Sequence, residues 1–361
     1  MPVSRARRLV ALFLIGLLSA CESTSDLNSY IQSLTEPHVF TGALLVARGT
    51  TVLAEGGNGL ADQERQVSNT SRTRFRIGSV TKQFTALSIL LLEQRGQLSV
   101  RDPVCRHLDA CPAAWQSVTL HHLLTHTSGI PDYTHLANFD SLIGTPASTA
   151  DLVARFSSLP LEFPPGDHWS YSNSGYVLLG AVIEKLSGLS YLDFLQANIF
   201  LRMGMTSTGQ ADAPAPPDHA TGYLSPGVQP VHLDMSEFAA AGALSSTVQD
   251  LYLLDLALLR ALLVPLAALD ELMVPYVPCP LGGCALSSDV GYGYEWFLAD
   301  VDSHRYVYHW GRIDGFRSSN GFYREQEVSV VVLSNLETID TFGISARLGE
   351  LAVAQTLGTA R

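Results

Sequence analysis

The chain has 361 residues, enough for one large domain or two intimate subdomains, and 47% of them are hydrophobic, which allows a sizeable core. Only 16% are charged, so no long disordered tract is expected away from the ends. The net charge of −12 would repel a phosphate backbone, which argues against nucleic acid as a partner.

In chain order, Arg5, Arg7 and Arg8 precede the apolar run "LVALFLIGLLSA", which is too short to span a bilayer. This pattern predicts an export signal over residues 1–20. Its removal would take away those arginines and no acid, leaving the chain more negative. The run ends in "LSAC", which resembles the lipobox of bacterial lipoproteins. That resemblance implies lipidation of Cys21, with residues 21–35 as tether and start of the first helix. The protein would then sit on the periplasmic side of the cell envelope, held at the membrane surface by a lipid.

Residues 36–361 are expected to form one domain. A short helix around Asp26–Leu34 leads into "FTGALLVARGTTVLAEGGNGLAD", two strands joined at Gly49. Residues 79–95 read as an apolar helix stopped by Gly96. Four further helices are expected in "SVTLHHLLTH", "TADLVARF", "SGYVLLGAVIEKLSG" and "TVQDLYLLDLALLRALL", each with Ser or Thr at or near its start. Asp250, Asp255, Arg260 and Pro265 make the last a buried helix and not a membrane span. Strands follow in "GYGYEWFLA", "RYVYHWG", "RSSNGFY" and "EVSVVVLSN", and a helix over Ile339–Leu357 closes the chain. Strands at both ends with helices between them predict a mixed α/β (α+β) fold. One antiparallel sheet would come from about 36–78 and 290–361, an inserted helical subdomain from about 97–270, and a cleft would separate them.

Four cysteines remain beside Cys21. The spacings "CRHLDAC" and "CPLGGC" favour two local disulfides, Cys105–Cys111 and Cys279–Cys284, in an oxidising compartment. Zinc is disfavoured, since no CxxC is present and the two pairs lie far apart. His122 and His126 have the spacing of a two-histidine zinc site, but Leu123 stands where a metalloprotease has its glutamate, so no metal is expected. Neither a Gly-x-Ser-x-Gly elbow nor a phosphate or dinucleotide loop is present, and no cofactor is implied.

The chain has only two lysines. Lys185, in the last turn of a helix before Gly188, suits any cation. Lys82 follows Ser79 by three residues, so Oγ and Nζ can meet at a helix start, where free N–H groups favour an anion. A serine nucleophile needs a proton acceptor. A buried lysine can serve; an arginine cannot.

Ser79–Val–Thr–Lys82, Tyr171–Ser–Asn173 in "PPGDHWSYSNSGYVLLGAVIE" and His309–Trp–Gly311 in "YHWGRIDGFRS" occur in that order. With "LLTHTSGIPDY" and "AAGALSSTVQDL" they resemble the serine β-lactamase and penicillin-binding-protein-like family over about residues 38–355. That family includes class C β-lactamases, D-Ala-D-Ala carboxypeptidases, D-aminopeptidases and β-lactamase-fold esterases. The resemblance implies Ser79 as nucleophile, Lys82 as its partner, and Tyr171 as the proton shuttle to the leaving group, with either Lys82 or Tyr171 as general base. It makes Asn173 the residue that holds Lys82 and the substrate. His309 stands where many members carry a lysine, and the oxyanion hole would be the amides of Ser79 and Arg312. Trp310 replaces the usual Thr or Ser, so Trp310, Gly311 and Arg312 would shape substrate binding. An indole offers no acceptor and one donor, which weakens the grip on a carboxylate unless Arg312 or Arg317 restores it.

The expected activity is therefore that of a serine hydrolase acting through an acyl-enzyme on a small-molecule or peptide-like ester, amide or lactam. An esterase or peptidase is favoured over a β-lactamase or D-Ala-D-Ala carboxypeptidase. A non-catalytic ligand-binding envelope protein on the same fold is the alternative from another class.

Overall fold

The structure is a computed structural model and describes residues 26–36, 39–211, 218–278 and 291–358. Cys21, Cys279 and Cys284 therefore lie outside the described residues, as does the expected export signal. Helix α1 (Leu27–Leu34) opens with an Asp26 cap that accepts from Ser29 N at 2.7 Å. Strands β1 (Gly42–Arg48) and β2 (Thr51–Asn58) form the expected hairpin. After the small pair β3 (Leu60–Asp62) and β4 (Val67–Ser68) comes β5 (Phe75–Arg76). A 3₁₀ turn, Gly78–Val80, then feeds α2 (Thr81–Gln94). Ser79 thus stands just before the helix, not within it.

The helical insertion contains α3 (Leu120–Leu124), α4 (Thr149–Phe156), α5 (Asn173–Ser187), α6 (Tyr191–Leu195), α7 (Leu201–Met203), α8 (Ala239–Gly242), α9 (Val248–Leu259) and α10 (Leu266–Leu272). Thr119, Ser148 and Thr247 cap α3, α4 and α9 by accepting from backbone N–H groups, as the sequence pattern predicted. Two helices are shorter than expected. The chain turns left-handed at His126 (φ 56°) after α3 and at Ala261 (φ 51°) after α9. Two short segments that the hydrophobic pattern does not reveal, β6 (Gly209–Gln210) and β7 (Leu244–Ser246), join β5 in a small sheet ordered β5-β7-β6. The Cys105–Cys111 disulfide is present in the connection before α3.

The main sheet has eight strands. It adds β8 (Val277–Pro278), β9 (Gly291–Tyr292), β10 (Phe297–Val301), β11 (His304–Ile313), β12 (Phe316–Tyr323) and β13 (Val328–Ser334) in the order β2-β1-β13-β12-β11-β10-β9-β8. Its last strand begins at Val277, ahead of the boundary expected near 290. Strand β1 pairs with β13 through Leu45↔Val331, so strands from the two ends of the chain lie side by side, second and third from one edge of the sheet. The "GYGYEWFLA" segment is not one strand: it breaks between β9 and β10 at Glu295, whose φ is 66°.

One face of the sheet buries Leu44, Val46, Tyr306, Tyr308 and Val330 against α1 and the final helix α11 (Thr341–Gly358). The other face buries Leu45, Val307 and Val331 in the larger core with Phe84, Leu87 and Leu251 of α2 and α9. This alternation follows the two-residue period of strands covered on both sides. Among the described residues no helix is long and apolar enough to cross a membrane.

Candidate active site

Ser79 is partly accessible, whereas Lys82 is fully buried. The Lys82 ammonium donates to Ser79 Oγ at 3.0 Å and to the Ala241 carbonyl of α8 at 2.7 Å. It lies over the rings of Tyr171 and Tyr176, 4.8 and 5.6 Å from their centroids. Burial pulls its pKa down to about 8, against the opposing pull of Glu295 and Asp132. A substantial neutral fraction is therefore present just above neutrality.

Two glycines bring strand β11 against the Ser79 turn. Gly78 has φ 49°, and a Cβ there would stand 2.8 Å from the Arg312 carbonyl oxygen and 3.1 Å from the Arg312 amide nitrogen. A Cβ on Gly311 would meet the Ile77 carbonyl at 2.1 Å and approach the Ser79 amide to 3.1 Å. Only residues without a side chain permit this backbone-to-backbone approach. Ser318 reinforces it from β12 by donating to the Ile77 carbonyl at 2.7 Å. The amides of Ser79 and Arg312 thus belong to two segments packed directly on each other.

Tyr171 sits on the loop before α5. Its phenol faces Ser79 without completing a well-aligned hydrogen bond, and burial, with Glu295 adding to it, holds the phenol well above its ordinary pKa. Its ring packs on His126 (4.2 Å between centroids) and more distantly on His309 (6.5 Å). Asn173, the first residue of α5, does not hold Lys82. Its amide donates to Asp132 Oδ2 at 2.9 Å and to Thr134 Oγ1 at 3.3 Å, and its backbone N–H also reaches Asp132, at 3.1 Å. Lys82 instead spends its donors on Ser79 and on α8. Asp132, within the "GIPDY" stretch, is the residue that orients Asn173.

His309 is buried on the β11 face turned towards Ser79 and lies 2.8 Å from Glu295 Oε1. Trp310, next in the strand, turns the other way. It is 36% exposed, so it is no core residue, and its ring stands 6.3 Å from that of His309. Arg312 and Arg317, the two residues expected to offer a carboxylate grip, are both engaged by Glu337. Arg312 contacts Glu337 Oε1 through Nε at 2.9 Å and a terminal nitrogen at 2.7 Å, and Arg317 Nε donates to the Glu337 carbonyl at 2.9 Å. His122 and His126 do not converge. His122 Nδ1 accepts from Thr119 N to cap α3, whereas His126 joins the buried Glu295 cluster. Lys185 pairs at the surface with Asp109, away from this site.

Glu295 and Asp132 do not stand out as functional candidates in the sequence, and His126 does so only as half of a zinc spacing. The available signal was an acid inside the otherwise apolar "GYGYEWFLA", but its partners come from distant segments.

The family model described as Beta-lactamase matches residues 27–355. Penicillin-binding protein 4* of Bacillus subtilis is 32% identical over 331 residues, covering 86% of this chain and 71% of that protein. Among solved structures, a penicillin-binding protein from Bacillus halodurans superposes with a TM-score of 0.75 at 28% identity, over 93% of this chain and 100% of that one. D-amino acid amidase from Ochrobactrum anthropi SV3, complexed with D-phenylalanine, gives 0.78 at 25% identity, over 93% and 99%.

Proposed function

Because the chain belongs to the beta-lactamase family, we propose that it is a serine hydrolase that acts through an acyl-enzyme on a neutral amide or ester. The observation that carries this reading is the 3.0 Å contact between Ser79 Oγ and a buried Lys82 whose pKa is brought down to about 8.

Neutral Lys82 takes the Ser79 proton as Oγ attacks the carbonyl carbon. The amides of Ser79 and Arg312 receive the oxyanion. Burial keeps Tyr171 protonated, which suits it to donate to the leaving amine or alcohol and to recover that proton from Lys82. Water then attacks the acyl-enzyme, and the same groups return Ser79. Asp132 fixes Asn173 at the start of α5 by accepting from its side-chain amide.

Similarity to a D-amino acid amidase supports an amide substrate, and similarity to penicillin-binding proteins supports a peptide-like acyl group. The engagement of both nearby arginines by Glu337 favours a substrate without a carboxylate next to the scissile bond. The test is intact-protein mass after brief exposure to an activated aryl ester and, separately, to a penicillin. Wild type is expected to carry an ester-derived acyl adduct. Ser79→Ala is expected to carry none and to lose turnover while keeping its melting temperature. Equal turnover by Ser79→Ala would remove the nucleophile and with it this reading.

A further inference from the structure

A fully buried glutamate in a left-handed backbone conformation is the structure's least expected feature. Glu295 is 0% exposed with φ 66°, a region that glycine occupies freely and other residues avoid. Such strain persists only where surrounding contacts over-determine it. The Gly293 N–H closes the turn around Glu295 by donating to the Trp296 carbonyl at 2.9 Å, and the remaining contacts reach the carboxylate. Tyr292 donates to Oε2 at 2.9 Å, His309 Nε2 lies 2.8 Å from Oε1, and His126 Nε2 lies 3.5 Å from Oε2.

The two histidines differ in what faces their second nitrogen. His126 Nδ1 accepts from the Ser172 N–H at 3.1 Å, so His126 has one proton, on Nε2, and is neutral. Burial, partly opposed by Glu295, holds its pKa below the ordinary range. His309 Nδ1 lies 2.7 Å from the Trp310 carbonyl, an acceptor, and its Nε2 faces the carboxylate, another acceptor. Only the imidazolium carries a proton on both nitrogens.

We propose that Glu295 is a positioning residue that holds His309 as a fixed imidazolium beside Tyr171, supplying the positive charge that a lysine supplies elsewhere in the family. Burial works against the charged carboxylate, but attraction to His309 and Lys82, with hydrogen bonding from the neutral His126, outweighs it and keeps Glu295 ionised. The imidazolium favours transfer of the Tyr171 proton to the leaving group and balances Glu295 within a closed cluster. The charged or titratable groups around it are Glu295, His126, Lys82, Tyr171 and Tyr292, drawn from four separate segments. The catalytic consequence rests on the serine hydrolase reading above; the protonation state does not.

The test uses ¹⁵N-histidine NMR of the wild-type protein, with His309 assigned by its loss in His309→Asn. His309 is expected to show the imidazolium signature at pH 7, and in Glu295→Gln the signature of a neutral ring. Glu295→Asp, which keeps the charge if Glu295→Gln does not fold, should retain the imidazolium. For the ester that acylates Ser79, Glu295→Gln should lower kcat/KM by tenfold or more at pH 8 and by less than threefold at pH 5.5. In a His309→Lys background, whose ammonium needs no carboxylate support, the penalty at pH 8 should fall below threefold. A neutral His309 in wild type at pH 7, or unaltered His309 signals in Glu295→Gln, overturns the proposal. An imidazolium at His309 without any Ser79 adduct upholds the role of Glu295 and removes the hydrolase reading instead.

Discussion

Lys82 is where function and stability conflict. Lowering its pKa from 10.5 to about 8 by burial means that folding a protonated Lys82 costs about 3 kcal/mol. Since the folded value is the lower one, the unfolded chain binds more protons between about pH 8 and 10.5. The cost is thus complete below about pH 8 and fades as pH rises towards 10.5. Lys82→Met should remove it while leaving the Ala241 carbonyl without its donor, which returns about 1–3 kcal/mol. The variant is expected to be inactive yet more stable than wild type by about 1 kcal/mol at pH 7. Urea unfolding at pH 7 and pH 10 checks this: the gap should narrow, or change sign, at the higher pH. A less stable variant at pH 7 would mean that burial of the ammonium is not costly here.

At the scale of elements, the α8 backbone is as important to the site as any side chain, because its carbonyls receive Lys82 and, at Ala240, Thr85. That backbone is fixed from the preceding turn. The fully buried Glu237 is held by the Arg155 guanidinium of α4, with one contact at 2.8 Å, and its carbonyl accepts from the Tyr133 hydroxyl. Removing one partner of a buried ion pair leaves an uncompensated charge. Arg155→Met should therefore cost about 3 kcal/mol in urea unfolding. It should also slow Ser79 acylation at a site that Arg155 does not touch. Unchanged stability together with unchanged acylation would show that α8 needs no such brace. Arg155 and Glu237 were not legible as a pair, since they lie on separate segments joined only by packing.

For the whole molecule, the sheet closes the chain on itself: β1 sits between β2 and β13, so residues near both ends must be present before the site can form. The basic residues, apolar run and Cys21 support export with a lipid tether. Cys21→Ser is expected to move the protein from the membrane to the soluble fraction with kcat/KM unchanged within twofold. Retention in the membrane fraction would count against the anchor.

The order of strand and helix segments and the Ser79–Lys82 pair were legible because each depends on local periodicity or on spacing within one turn. Tyr171, Asn173 and His309 were reached through a resemblance across the chain; their separations alone do not join them. The break at Glu295 was not legible, since an apolar run containing one acid reads as a continuous strand. The Glu295–His309–His126 cluster, the contact of Asp132 with Asn173 and the engagement of Arg312 and Arg317 by Glu337 were decided only by the tertiary structure. In each case the deciding contact joins residues far apart in sequence, and a buried charge acquires its meaning from the groups that neutralise it. Sequence alone determined which residues could do chemistry; packing decided their protonation, their partners and which of them remain available to a substrate.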